Sequence, residues 1–317
     1  MHILFLFLDG VGIGRKDGAV NPLFAARMPA LTALLGGELP SLHHRSHTAE
    51  NASVIPLDAT LGVEGLPQSG TGQTALFTGI NAPRLIGKHF GPHPYSTLRP
   101  VIEAHNIFRR VQQAGLRPCF ANAFPQKFFD YFATRQTRLS VTALSCTYAG
   151  MPLRREEDIR DHRGLSADIT GEGWPKGAQP GIELITPHEA GTRLAGLAAS
   201  YAFVLFEYWK TDHAGHDRNM AEAVMVLERF DGLLEGVLEN LDPSGTMIVM
   251  TSDHGNIEDL TVKTHTRNPV PLIIAGCLHR EVTARVCHYG GRAPDLTHVL
   301  PALMEVFQDG DGPGGVS

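Results

Sequence analysis

Met247-Ile248-Val249-Met250-Thr251-Ser252-Asp253-His254-Gly255-Asn256 passes in one step from an apolar run to a polar, glycine-containing turn. A short continuous apolar run bounded by turn residues reads as a strand buried on both faces. Ile3–Leu8 has the same character and stops at Asp9-Gly10; Ala202–Phe206 and Leu272–Ala275 are alike. Between Phe206 and Met247, apolar residues recur at Met220, Ala223, Val224, Leu227, Phe230, Leu234, Val237, Leu238 and Leu241. That is the period of an amphipathic helix. Asn219, with Glu222 three positions on, supplies a capped start. Strand, helix and strand in succession predict an α/β fold: a parallel sheet core with helices on both faces and right-handed crossovers.

The middle of the chain breaks this rhythm. From about Arg84 to Pro187 charge density rises, and turn-rich stretches flank it at Gly87–Pro94 and Gly171–Pro187. The expectation is a discontinuous core over 1–85 and 188–317, with a smaller α+β cap inserted at 86–187. Within the insert, Thr97–Gly115 is expected to hold a helix ending at Gly115. Asp158–Arg163 and Ser166–Glu172 are too polar for a core and read as cap surface facing the site. Arg160 and Arg163 are candidates there to fork onto an anionic group of a substrate.

Bulk composition removes several function classes. The 317 residues include 33 acidic and 27 basic side chains, a net charge of −6 with no basic run. A nucleic-acid partner is therefore not expected. The apolar run Ile3–Leu8 is far short of the roughly 20 residues that span a membrane. It is also ended by Asp9 too early for a signal peptide, so a cytoplasmic enzyme with no membrane partner is expected. The four cysteines, Cys119, Cys146, Cys277 and Cys287, form no CxxC pair. Sixteen histidines is a high count, and several stand beside aspartates.

Those pairs fall at predicted strand ends, where open α/β sheets bind ligands. They are Leu8-Asp9-Gly10, Asp212-His213-Ala214-Gly215-His216, Ser252-Asp253-His254-Gly255 and Lys263-Thr264-His265-Thr266, the last just before Val270-Pro271. Asp212 and His216 share one face of a helical turn. Carboxylate oxygen with imidazole nitrogen suits Zn²⁺ or Mn²⁺ better than Mg²⁺ or Ca²⁺. Recurrence at successive strand ends points to metal rather than to surface polarity.

Gly65-Leu66-Pro67-Gln68-Ser69-Gly70-Thr71-Gly72-Gln73-Thr74 leads into Leu76-Phe77-Thr78-Gly79. Hydroxyl residues among glycines let backbone approach a phosphate closely. Pro67 breaks the GxSxG elbow, and Arg15 breaks GxGxxG after Gly10-Val11-Gly12-Ile13-Gly14, which disfavours a dinucleotide site.

Together these segments, in this order, resemble the alkaline phosphatase superfamily, on the branch of cofactor-independent phosphoglycerate mutase and phosphopentomutase. The resemblance covers roughly 1–85 and 190–317. It implies an alkaline-phosphatase-like core with two divalent ions, Mn²⁺ or Zn²⁺. Asp212, His216 and His265 would hold one ion. Asp9, Asp253 and His254 would hold the other, with Ser69 between as ligand and nucleophile. Thr71 is the alternative nucleophile. His213, His43, His44 and His47 are expected to stay outside the metal positions.

Such a site forms a phosphoserine on a small phosphorylated metabolite. Transfer to water makes a phosphatase, and transfer to another hydroxyl of the substrate makes a mutase. Two departures from the mutases favour hydrolysis. Gln73 stands where they carry a histidine, and 86–187 is much shorter than the phosphoglycerate mutase insert. Gln73 is then expected to donate to a phosphoryl oxygen. A non-catalytic metal-binding relative is the alternative from another class; retention of every ligand and of Ser69 speaks against it.

Overall fold

The computed structural model describes residues 1–135, 138–174, 182–291 and 293–309. Residues 175–181 of the expected turn-rich stretch before Pro187 lie outside the described residues. The main strands are β1 (His2–Leu8), β2 (His47–Thr48), β3 (Ala52–Leu57) and β4 (Pro118–Phe120). A small pair follows, β5 (Asn122–Ala123) and β6 (Leu165–Ser166), and then β7 (Phe203–Tyr208), β8 (Thr246–Thr251) and β9 (Val270–Ala275). Seven strands form one sheet in the order β2-β3-β9-β8-β1-β7-β4.

Each predicted apolar run is a strand of this sheet, but the sheet is mixed rather than wholly parallel. β4, β7, β1 and β8 run parallel, whereas β9 is antiparallel to β8, β3 to β9 and β2 to β3. The cause is the connection between β8 and β9. A parallel return needs a long crossover, usually a helix, and residues 252–269 contain none. The chain therefore comes back antiparallel. The segment before β9 thus sits at the same edge as the segments that follow β1, β7 and β8.

Side chains of β1 alternate between two cores. Ile3, Phe5 and Phe7 enter one with Phe203, Leu205 and Val249. Leu4, Leu6 and Leu8 enter the other with Val204, Phe206 and Met250. Burial on both faces is why these strands read as continuous apolar runs. The first core is covered by helices including α1 (Ser69–Thr78), α2 (Arg99–His105), α3 (Ile107–Gln113) and α4 (Val141–Tyr148). The second is covered by α5 (Pro187–Ser200) and α7 (Met220–Asn240), with α6 (Lys210–Asp217) between them in sequence. Asn219 caps α7 by accepting from Ala221 N and Glu222 N, at 3.0 and 3.2 Å, as expected.

The middle segment differs from expectation in two ways. The expected helix over Thr97–Gly115 is split into α2 and α3. Asn106 is extended there and caps the second piece, accepting from Arg109 N at 3.0 Å while donating to Ile102 O at 2.7 Å. Much of 86–187 also merges with the core. β4 is the edge strand of the main sheet, and Phe108, Val111, Val141 and Leu144 join the first core. What stands aside is smaller: β5 and β6, with Ile159 and Trp174 packed on Ala123. No helix among the described residues is long and apolar enough to cross a membrane.

Candidate metal centre

The sheet topology converges four segments on one edge. Asp9 follows β1, and Gly10 takes a left-handed φ of +69°. A Cβ at Gly10 would lie 2.6 Å from Asp212 Oδ1, so glycine there lets α6 close onto β1. Asp212 and His216 lie on α6, with His216 Nε2 3.4 Å from Asp212 Oδ2. Asp253 and His254 follow β8. His265 reaches the cluster from before β9, its Nε2 3.1 Å from His216 Nε2 and 3.6 Å from Asp212 Oδ1. The His254 and His265 rings stack at 3.8 Å, joining two halves of one site.

Two overlapping groups could hold ions. Ligand atoms of Asp212, His216 and His265 lie within 4.8 Å of one another, as do those of Asp9, Asp212 and His254. Asp253 is alongside the second group, its Oδ2 3.6 Å from His254 Nε2. The sharing of Asp212 sets the two positions side by side.

Ser69 opens α1, and its Oγ is 3.0 Å from His254 Nε2. His254 Nε2 is in turn 3.3 Å from Asp9 Oδ1. Thr71 is turned away: its hydroxyl donates to Gln68 O at 3.1 Å and accepts from Phe90 N at 3.2 Å. The loop leading to Ser69 is held from across the site. His265 Nδ1 contacts Pro67 O at 2.7 Å, and Arg267 Nε donates to Gly65 O at 3.0 Å.

Electrostatically, the cluster needs cations. Asp9 Oδ1 and Asp253 Oδ2 are buried without a hydrogen-bond partner among the described residues. A buried unsatisfied charged acceptor costs more than the roughly 1–3 kcal/mol of a neutral one. Burial first, then the neighbouring Asp253, pushes Asp9 well above the carboxylate range. Burial likewise raises Asp253. Burial lowers His254, but Asp253, Asp9 and Asp212 outweigh it and push it up to about 10. Burial, then the charge on His254, takes His265 down to about 4. Without an ion, protons must occupy this set. Divalent ions would replace them and satisfy the orphaned oxygens, so the residues present fit two such ions.

The other candidates are placed as follows. Gln73 does not project freely: its Nε2 contacts Asp9 Oδ2 at 3.4 Å. The cause is its place on α1, one turn after Ser69, where it faces β1. Arg160 pairs with Glu156 at 3.3 Å; Arg163 pairs with Asp158 and Asp161 at 3.1 and 3.0 Å. Arg163 lines a cavity with Ser200 and Tyr201, at the start of β7, and neither arginine lines the cavity beside Ser69. The reading of these arginines as site-facing is corrected: β6 pairs with β5 beside the sheet, so the turn before it is carried to the wrong end. His213 lines the site cavity with its ring on Trp209. His44 and His47 stack on each other, His47 on Leu35 O, and with exposed His43 they lie outside both ligand groups.

Sequence reading missed the residues that tie the segments together. Buried Glu258 accepts from Gly12 N at 2.9 Å, Asn256 N at 2.7 Å and Asn268 Nδ2 at 3.1 Å. Asn256 Nδ2 donates to Asp212 Oδ1 at 2.6 Å. Ser252 Oγ accepts from Val11 N at 2.8 Å. Glu207 is buried on β7 and bonded by the Thr142 hydroxyl; burial lifts it to about 7. An acid inside an otherwise apolar strand was the available signal for Glu207.

Comparison with known proteins bears on the fold and on part of the sequence. Residues 189–307 match the model of the Metalloenzyme superfamily. A curated 2,3-bisphosphoglycerate-independent phosphoglycerate mutase from Thermomicrobium roseum is 33% identical over 114 residues, covering 34% of this chain and 21% of that protein. The matched stretch spans 20–22% of the length of several such mutases. Among solved structures, PH0037 from Pyrococcus horikoshii aligns with a TM-score of 0.58 and 16% identity, covering 99% of this chain and 98% of that one. Alkaline phosphatase from the Antarctic bacterium TAB5 aligns with a TM-score of 0.51 and 13% identity, covering 97% and 98%. These solved structures share the fold of this chain, a central sheet with helices on both faces as in alkaline phosphatase. In sequence, about a third of this chain resembles 2,3-bisphosphoglycerate-independent phosphoglycerate mutases, matched over 21% and 28% of the length of two of them.

Proposed function

We propose that this protein is a two-metal phosphoryl-transfer enzyme that forms a phosphoserine at Ser69 and hydrolyses a small phosphomonoester. The observation that carries this reading is the Ser69 hydroxyl at the first turn of α1, 3.0 Å from His254 Nε2 and beside buried carboxylate oxygens with no partner. Asp212, His216 and His265 would hold one ion, and Asp9, Asp253 and His254 the other. Mn²⁺ or Zn²⁺ fits their mixed oxygen and nitrogen donors. Bound ions would favour the Ser69 alkoxide and neutralise phosphoryl oxygens.

Ser69 Oγ gives its proton to solvent and forms a bond to phosphorus. The ester oxygen leaves in line and is protonated from solvent. Water then attacks phosphorus from the vacated side, Ser69 is released, and inorganic phosphate departs. At the start of α1 the Thr71 N–H is taken by Phe90 O at 2.9 Å, which leaves those of Ser69 and Gly70 to support a phosphoryl group at Ser69. The Pro67 and Gly65 carbonyls, held by His265 and Arg267, keep the nucleophile loop in register.

The named relatives favour a second reading, a phosphomutase. Hydrolysis is preferred because Gln73 is committed to Asp9 and an amide cannot exchange protons with a substrate hydroxyl near neutral pH. Product partitioning on 3-phosphoglycerate and ribose phosphates tests the choice. Free phosphate should appear faster than isomerised product; the reverse order on either substrate makes the protein a mutase.

A further inference from the structure

We propose that Lys263 is the specificity residue of this site, binding a second anionic group on the substrate while the phosphoryl group faces Ser69. The inference rests on the phosphoryl-transfer reading and adds a substrate class to it: phosphorylated metabolites that carry a carboxylate or a second phosphate.

The cavity beside Ser69 has a volume of about 540 Å³, within the range of small-metabolite sites. Asp212 and His216 form its metal side. Lys263 is the only lysine or arginine on its described wall. Asp217 on the same wall would repel a second anion, so a dianionic substrate needs a cation here. Lys263 is exposed, and its ammonium makes no ion pair or hydrogen bond with any described residue. Its backbone, by contrast, is pinned. The Lys263 carbonyl contacts His216 Nδ1 at 3.2 Å, and two residues on, His265 contacts Pro67 O. A flexible cationic arm is thus rooted on the metal cluster and the nucleophile loop, with its charge left for a ligand. An ammonium is a point charge with three donors, suited to either kind of anion.

The test compares metal-loaded parent, Lys263→Gln and Lys263→Arg on three substrates. These are p-nitrophenyl phosphate, 3-phosphoglycerate and fructose 1,6-bisphosphate. Their second group is neutral, a carboxylate and a phosphate respectively. The ratio of kcat/KM for either anionic substrate to that for p-nitrophenyl phosphate should fall at least tenfold in Lys263→Gln, through KM. Lys263→Arg should restore it. The anionic substrate that loses more identifies the second group. A parallel calorimetric arm uses metal-loaded Ser69→Ala, in which affinity for the same anionic compound should fall at least tenfold on adding Lys263→Gln. An unchanged ratio with unchanged affinity overturns the proposal. No turnover of any substrate by the parent overturns the phosphoryl-transfer reading instead, and the calorimetric arm still decides whether Lys263 recognises the anion.

Discussion

At the edge of the sheet where β1, β7 and β8 finish, carboxylates are buried with oxygens that accept no hydrogen bond from any described residue. Asp9 and Asp253 each keep a carboxylate oxygen with no donor, and the imidazole nitrogens of His216 and His265 face each other at 3.1 Å. At the opposite edge, where β1, β4 and β7 begin, charge is abundant but satisfied. Arg163 bridges Asp158 and Asp161, Arg154 donates to Phe120 O, and the guanidinium groups of Arg117 and Arg154 lie over the Tyr201 ring. Both edges attracted attention in the sequence because both are polar. Only one holds an arrangement that folding alone would disfavour. Unsatisfied buried charge, rather than charge density, separates a reactive site from a solvated surface.

The sharpest way to break this contrast is to remove the nucleophile. Ser69→Ala should lower kcat on p-nitrophenyl phosphate by at least about three orders of magnitude. It should shift stability by no more than about 1 kcal/mol, since one hydroxyl contact to His254 is lost. Thermal unfolding and steady-state rates measured on the same metal-loaded sample check both statements. Activity that survives in Ser69→Ala and vanishes in Thr71→Ala would move the role to Thr71.

Removing metal should produce the next largest effect, with a sign that depends on pH. Asp9 and Asp253 have raised folded-state values, so in the metal-free protein their contribution is complete at low pH and is lost as pH rises through those values. His254, raised to about 10, contributes fully below its ordinary 6.5 and loses that contribution as pH climbs through about 10. His265, lowered to about 4, works the other way and adds stability as pH rises to its ordinary 6.5, so chelated protein should weaken steadily only above that, as the solution becomes alkaline. Protein with free Mn²⁺ at a hundred times its dissociation constant should gain about 2.7 kcal/mol over it for each ion bound at pH 8. That gain should shrink on acidification, because protons compete for the ligands. Melting curves with and without chelator from pH 5 to 9 measure this. A constant gap would mean that the cluster binds no metal through these groups.

How much of this was legible depended on whether the information was local. Strands β1, β7, β8 and β9 announced themselves because burial on two faces demands unbroken apolar runs. Asp212 and His216 could be paired because a helix fixes their spacing. The antiparallel return into β9 was not readable from apolar runs, which carry no direction. Asn106 broke a helix whose periodicity continued through it, because a side-chain cap outcompeted propagation. Glu258, and the bond from Asn256 to Asp212, were not legible because the partners, Gly12 and Asp212, are distant in sequence. Arg160 and Arg163 were misplaced for the same reason: polarity is local, but the end of the sheet a turn reaches is decided by the pairing of β6 with β5.

Glu207 offers a smaller, graded test on the boundary of the site. It is a buried carboxyl lifted from 4.5 to about 7, chiefly by burial and, further down the order, by Asp253. In metal-free protein its contribution is intact below about 4.5 and is lost as pH rises to about 7. The shift corresponds to about 3 kcal/mol. Glu207→Gln keeps an acceptor for the Thr142 hydroxyl and removes the titration. The variant should therefore lose less stability between pH 4.5 and 7, and melt above the metal-free parent at pH 8. Parallel stability curves for the two proteins would show that Glu207 is not the titrating group.

The smallest effect is expected at the satisfied edge, and it tests the contrast from the other side. Arg163 has 53% of its side chain exposed and pairs with Asp158 and Asp161. Exposed ion pairs contribute about 0–1 kcal/mol, because solvent screens them and the side chains lose freedom in forming them. Asp158 also accepts the Arg155 backbone N–H at 2.9 Å, so it keeps a donor when Arg163 is removed. Arg163→Ala should therefore shift unfolding free energy by less than about 1 kcal/mol and leave kcat/KM on phosphorylated substrates within twofold. A tenfold loss of kcat/KM on 3-phosphoglycerate, with stability intact, would bring the β5–β6 unit into the catalytic cycle. The start of the sheet could then no longer be treated as inert surface. Equal losses on p-nitrophenyl phosphate would point to a change in the whole enzyme instead, since that substrate has no second anion for an arginine to grip.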